Sequence, residues 1–197
     1  MAGFVTAASS GLLLTGAGTQ PGPCGQSTVR DTPDVFAGIP NLAFKYYDVQ
    51  GTAWKAITAS LNAIGPRHGD GTIAHGRTAY RIEPTWTEQR RGSSCKVTNV
   101  QVQFSAVVLL PRLAEKSLVS GQVLEEWGRF VALLQRHEAG HAHIAFENVD
   151  HVRAAVAGSA CDQVQANAQA VLTRIEGLQQ DYDRRTQNGR AQGDILR

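Results

Sequence analysis

Two histidines four residues apart, with a glutamate directly after the first, stand at His137-Glu138-Ala139-Gly140-His141. On a helix, positions i and i+4 share one face, so both imidazoles can reach a single zinc ion. Glu138 then lies close enough to act as a base on water held by that ion. At this chain's His and Glu content the pattern arises by chance in roughly one chain in a hundred. The competing reading is a surface helix whose histidines carry no chemistry. A catalytic zinc keeps three protein ligands and an open position for water. In that scheme zinc lowers the pKa of the water, and Glu138 takes its proton and passes it to the leaving amine.

The third ligand is not in the motif. A continuation H-E-x-x-H-x-x-G-x-x-H requires Gly at 144 and His at 147, where the chain has Ile144 and Glu147. On a continuing helix Glu147 points about 120° away from His141, and His143 about 200° away. His151 lies about 15 Å further along the axis. The run from Gln122 to Ala157 holds no proline, and Phe130, Leu134, His137, His141, Ile144, Asn148 and Val152 form one stripe along it. The histidines therefore continue an apolar face and point inward. Gly158-Ser159-Ala160 breaks the run, and a second helix is expected from Asp162 to Asp181, packed antiparallel on the first. With the turn near Ser159, His141 is level with about Gly177 and His137 with about Asp181. The candidate third ligands are then Asp183, Asp181 and Glu176, in that order of preference.

The first half of the chain reads as strand, helix and hairpin. Ala43 to Val49 is an aromatic-rich strand. Thr52 is placed to cap a helix from Ala53 to Ile64, which Gly65 ends. A polar loop with His68 and His75 follows, its histidines read as solvated. Thr78 to Thr87 is a strand in which Pro84 marks an edge or a bend. Arg90 to Ser94 is the hairpin turn, and the return strand runs from Lys96 to Leu110, where Pro111 stops it.

At 197 residues, with 42% hydrophobic and 18% charged side chains, the chain suits one domain with a real core. A formal charge of +2 without a Lys/Arg stripe argues against nucleic acid. Met1 to Val29 contains no charged side chain, and Gly11 to Gly18 resembles the apolar core and small-residue zone of a secretory signal that lacks its basic start. It is too short and polar for a stable membrane span. Cys24, Cys95 and Cys161 have no C-x-x-C spacing; in an exported protein Cys95–Cys161 is the favoured disulfide, with Cys24–Cys161 competing and three reduced thiols the remaining alternative.

The ordered set of motifs resembles the bacterial predicted secreted zinc-dependent proteases grouped as domain of unknown function 922. It comprises Tyr47-Asp48-Val49-Gln50-Gly51, Ala74 through Tyr80, Cys95-Lys96-Val97, Leu110-Pro111, Trp127, the His137–His141 motif with Ile144, Cys161, and Tyr182-Asp183-Arg184-Arg185-Thr186-Gln187-Asn188-Gly189. The resemblance covers roughly residues 42 to 189. It implies a secreted or periplasmic protein with metallopeptidase activity on unspecified substrates. The closing segment departs from the family's Y-D-x-x-T-x-H-G, because Asn188 stands where a histidine is expected.

These readings predict an α+β fold: a small, mainly antiparallel sheet packed on two long antiparallel helices, with a zincin-like active-site helix. Residues 1–41 are a signal-like segment and linker, 42–189 the peptidase-like domain and 190–197 a loose tail. The expected function is a zinc-dependent peptidase of the bacterial envelope acting on a peptide or protein, with His137, His141 and Asp183 on zinc. Glu138 is the general base, and Tyr182 either stabilises the oxyanion or merely closes the helix pair. An edge of the strand spanning 97–109 is a candidate cradle for an extended substrate. The alternative is a catalytically degenerate envelope module that holds a partner or a metal without turnover, the reading Asn188 favours.

Overall fold

The computed structural model describes residues 33–67 and 71–193. The signal-like segment, Cys24 and His68 lie outside those residues. In chain order the elements are β1 (Leu42–Val49), α1 (Trp54–Ile64), β2 (Arg77–Arg91), β3 (Ser94–Leu113), α2 (Gly121–Glu147), α3 (Val149–Ala157) and α4 (Val164–Thr186). The result is a mixed αβ domain built on a three-stranded sheet of order β1-β3-β2.

The long β2–β3 hairpin is antiparallel, whereas β1 lies parallel to β3, Leu42 opposite Ala106 through Val49 opposite Leu113. Gly92, at φ 58°, supplies the positive backbone angle that the two-residue hairpin turn requires. The sheet corrects one reading of the strands. Pro111 does not stop β3, which runs on to Leu113. The amides of Ala106 and Ala114 donate to Asn41 and Val49, so even-numbered residues face β1. Pro111 therefore turns its nitrogen to the other side, where β2 has no residue beyond Arg77, and no ladder bond is lost. Along residues 97–109, β2 pairs with one side of β3 throughout, while β1 covers the other side only from Ala106, so β3 keeps an unpaired edge before that residue. β2 is the edge strand on the opposite side of the sheet, and Pro84 sits in it as the edge reading requires.

Ile57 and Leu61 of α1 are fully buried, while Ile64 is half exposed. The helix starts on Ala53, with no side-chain cap from Thr52, and ends at Gly65, whose amide donates to Leu61. The packed unit also begins before residue 42. Asp34–Phe36 forms a 3-10 turn, Phe36 is buried, and its ring meets Phe44 edge-on at 5.1 Å.

The first long helical run is interrupted at Asn148, whose side-chain amide donates to the Ile144 carbonyl at 2.8 Å. That bond occupies an acceptor that the main chain would use, and α3 starts afresh at Val149. The expected pair of long helices is thus α2 and α3 followed by α4. α2 is also buried on more than one stripe. His137 and His141 face α4, while Leu134, Glu138, Ala142 and Ala145 are buried as a second set. At the far end Val97, Val156, Val164 and Ala168 form a small separate core, and Cys95 and Cys161 are joined there with their Cα atoms 6.1 Å apart. The favoured cysteine pair is the one formed. No helix among the described residues is long and apolar enough to cross a membrane.

Candidate metal centre

His137 and His141 are buried one turn apart on α2, and α4 returns past them. His141 meets Gln179, and His137 meets Asp183 and Thr186. The heights read from the sequence are therefore met two residues later in the chain. The connection extends to Gln163, so the point of return falls beyond Ser159.

The two Nε2 atoms face each other at 3.3 Å. Asp183 Oδ1 closes the triangle at 3.4 Å from His137 Nε2 and 3.0 Å from His141 Nε2. A tetrahedral zinc ion with bonds of about 2.0–2.1 Å sets its ligands about 3.3–3.4 Å from one another. Three donor atoms at these separations occupy three corners of such a shell and leave the fourth open. Two imidazoles and a carboxylate are also ligand types that zinc accepts. The donor set fits the ion.

Of the other candidates, Asp181 pairs with Arg184, and Glu176 lies two helical turns before Asp183; neither joins the donor cluster. His143 reaches the Val35 carbonyl, and Glu147 and His151 are exposed. Asn188 is exposed with φ 54°, and its amide donates to the Asp183 carbonyl at the end of α4. Asparagine tolerates this left-handed conformation well. The position is a helix end, tied to Asp183 through its main chain.

Glu138 is buried on the sheet side, where the Thr78 hydroxyl lies 2.8 Å from Oε2 and 3.0 Å from the Glu138 carbonyl. Gly76 leaves room for it, since a Cβ there would stand 2.7 Å from Oε1. Burial holds the Glu138 carboxyl above its ordinary range, against the pull of both imidazoles and Thr78. Asp183 behaves oppositely. Burial pushes it up, but hydrogen bonds from His137 and His141 hold it well below the usual carboxylate range. Burial also opposes charge on His141, yet Asp183, Glu138 and Gln179 raise its pKa. The centre favours positive charge among the three donors.

Each imidazole is held through Nδ1. Gln179, itself only 1% exposed, places Oε1 2.6 Å from His141 Nδ1 and donates from Nε2 to the His141 carbonyl at 3.0 Å. Gln192 places Oε1 3.0 Å from His137 Nδ1 and donates to the Tyr182 hydroxyl at 3.0 Å. Thr186 Oγ1 is 3.5 Å from the same Nδ1. Tyr182 stacks on His137, with ring centroids 5.2 Å apart and planes at 15°, and crosses His141 edge-on. Its hydroxyl lies where a Cβ on residue 140 would stand, so Gly140 in the motif makes room for the ring. Burial raises the Tyr182 phenol, and more strongly that of Tyr47, whose hydroxyl donates to the His75 carbonyl at 2.7 Å.

Sequence reasoning missed Thr78, Gln179, Thr186 and Gln192. Gln179 sits four residues before Asp183 on one helical face, which is a readable signal. Gln192 falls in the segment assigned to the loose tail; residues 190–192 instead form a 3-10 turn folded back over the site.

A family model described as "Bacterial protein of unknown function (DUF922)" matches residues 44–190, and the chain belongs to that family. No curated protein and no solved structure matches it.

Proposed function

We propose that the protein is a zinc-dependent peptidase of the bacterial envelope, using α2 as a zincin-like active-site helix. The observation that carries this reading is the triangle of His137 Nε2, His141 Nε2 and Asp183 Oδ1, with separations of 3.0 to 3.4 Å beside a buried Glu138. These three residues would hold the ion. Bound there, zinc would supply Lewis acidity and bring the pKa of a coordinated water toward neutrality.

Glu138 is the base of this scheme. Its carboxyl is anchored by Thr78 and raised by burial, which suits a group that must accept a proton and release it again. An extended peptide would run beside the outer edge of β2. Odd-numbered β2 residues pair toward β3, so Thr78, Tyr80 and Ile82 turn their main-chain groups outward, with Thr78 next to Glu138. Tyr182 is the nearest phenol over His137 and would stabilise the oxyanion. The Cys95–Cys161 pair supports an oxidising compartment, as in the envelope.

The test is to purify the protein, quantify zinc, and compare cleavage of a peptide library with Glu138→Ala and Asn188→His variants. One zinc per chain, with cleavage lost in Glu138→Ala and unchanged in Asn188→His, is the expected result. Absence of zinc uptake at micromolar supply overturns the reading. Zinc uptake without cleavage assigns the protein to the alternative, a metal-holding module without turnover.

A further inference from the structure

The proposed function leaves open what keeps the zinc-facing nitrogens free of protons. A neutral imidazole carries its hydrogen on one nitrogen, and only the other can bind metal. At His141 that choice follows from hydrogen-bond valence. Gln179 touches two atoms of the same residue, Nδ1 at 2.6 Å and the main-chain carbonyl oxygen at 3.0 Å. A carbonyl oxygen only accepts, so the side-chain NH₂ of Gln179 must face it. The amide oxygen then faces Nδ1, and because that oxygen also only accepts, Nδ1 must carry the hydrogen. The Gln179 side chain is 1% exposed, so no water is at hand to compensate the reverse orientation. Reversal would set two acceptors, the amide oxygen and the His141 carbonyl, against each other.

We propose that Gln179 is a positioning residue that holds a hydrogen on His141 Nδ1 and thereby leaves Nε2 as the nitrogen turned to the metal position. The assignment rests on the metal-site reading above and adds a residue to it. The neighbouring imidazole supplies an internal control. Gln192 binds His137 Nδ1 in the same way, but its second partner is the Tyr182 hydroxyl, which both donates and accepts. Gln192 can turn its amide over and keep both hydrogen bonds, so it biases His137 without fixing it.

Two measurements on the full chain test the proposal. The first reads the ¹⁵N shifts of the His141 ring in zinc-free protein. A hydrogen on Nδ1 is expected in the unmodified protein, whether or not Nε2 also carries one toward Asp183 Oδ1, 3.0 Å away, and a bare Nδ1 overturns the proposal whatever the variants do. The second measures zinc affinity by competition with a chelator. Gln179→Met should weaken zinc about 10- to 100-fold, as loss of a ligand-orienting partner does elsewhere. Gln179→Glu keeps an acceptor for Nδ1 and should recover most of that loss. Unchanged zinc affinity in Gln179→Met, or equal loss in both variants, overturns the proposal. If the unmodified protein takes up no zinc, the peptidase reading fails while the tautomer measurement still decides this one.

Discussion

The two imidazoles of the centre are chemically alike and supported differently. His141 is clamped from within α4 by Gln179, a residue inside a helix and closed to solvent, which bonds both its ring and its main chain. His137 is held by Gln192 from a 3-10 turn after α4, with Thr186 and the Tyr182 ring sharing the task. One support is part of the folding core, and the other is laid over the finished site. The difference teaches that the donor triangle of the proposed site is held more firmly on the His141 side than on the His137 side. Local stability follows the same gradient, because a short terminal turn opens at far lower cost than a buried helix.

The comparison is broken most severely at Asp183, the donor both imidazoles share. Asp183→Asn removes the negative charge that balances the centre, and zinc affinity measured by chelator competition should fall by more than about 100-fold. Histidine support on either side would then no longer matter.

Gly140→Ala acts through Tyr182, which stacks on His137 and meets His141 edge-on. The added Cβ overlaps the Tyr182 hydroxyl, so the ring must leave its stack on His137. The expected loss is about 1–3 kcal/mol of stability. Gly177→Ala, whose Cβ meets nothing within 4 Å, should instead gain up to ~1 kcal/mol. Thermal unfolding of both variants checks the pair, and equal shifts would show that Tyr182 is not confined as described.

The smallest effect is expected at Gln192. Gln192→Ala, or truncation after Gly189, removes an exchangeable partner, so zinc affinity should drop by less than about tenfold. A loss as large as that of Gln179→Met would erase the contrast between the two supports.

Much of this centre was legible. The inward stripe on α2 followed from helical periodicity, and the return of α4 to the right height followed from a short connection and a fixed rise per residue. Asp183 was reached by that arithmetic, and the two-residue offset came from a connection longer than its Gly-Ser-Ala core. What was not legible depended on distant chain. The facing of Glu138 is decided by Thr78 and Gly76, about sixty residues away in sequence, and no local pattern announces that pairing. The passage of β3 through Pro111 depends on where β2 begins. The break at Asn148 turns on a single side-chain amide taking a carbonyl from the helix. Asn188 carried a doubt while it was judged by the residue it replaces; its backbone angle now gives it an ordinary reason to be asparagine.

The bond between Cys95 and Cys161, 66 residues apart, has a topological consequence. It closes a covalent ring from β3 to the end of α3, and α2 with both histidines lies inside that ring. The surface stretch joining β3 to α2 carries Leu118, 65% exposed, and is an open target for a protease. A single cut there leaves Thr78 on one piece and Glu138 on the other, yet the pieces stay one molecule until the sulfur bridge is reduced. Damage at this exposed joint therefore does not disperse the centre.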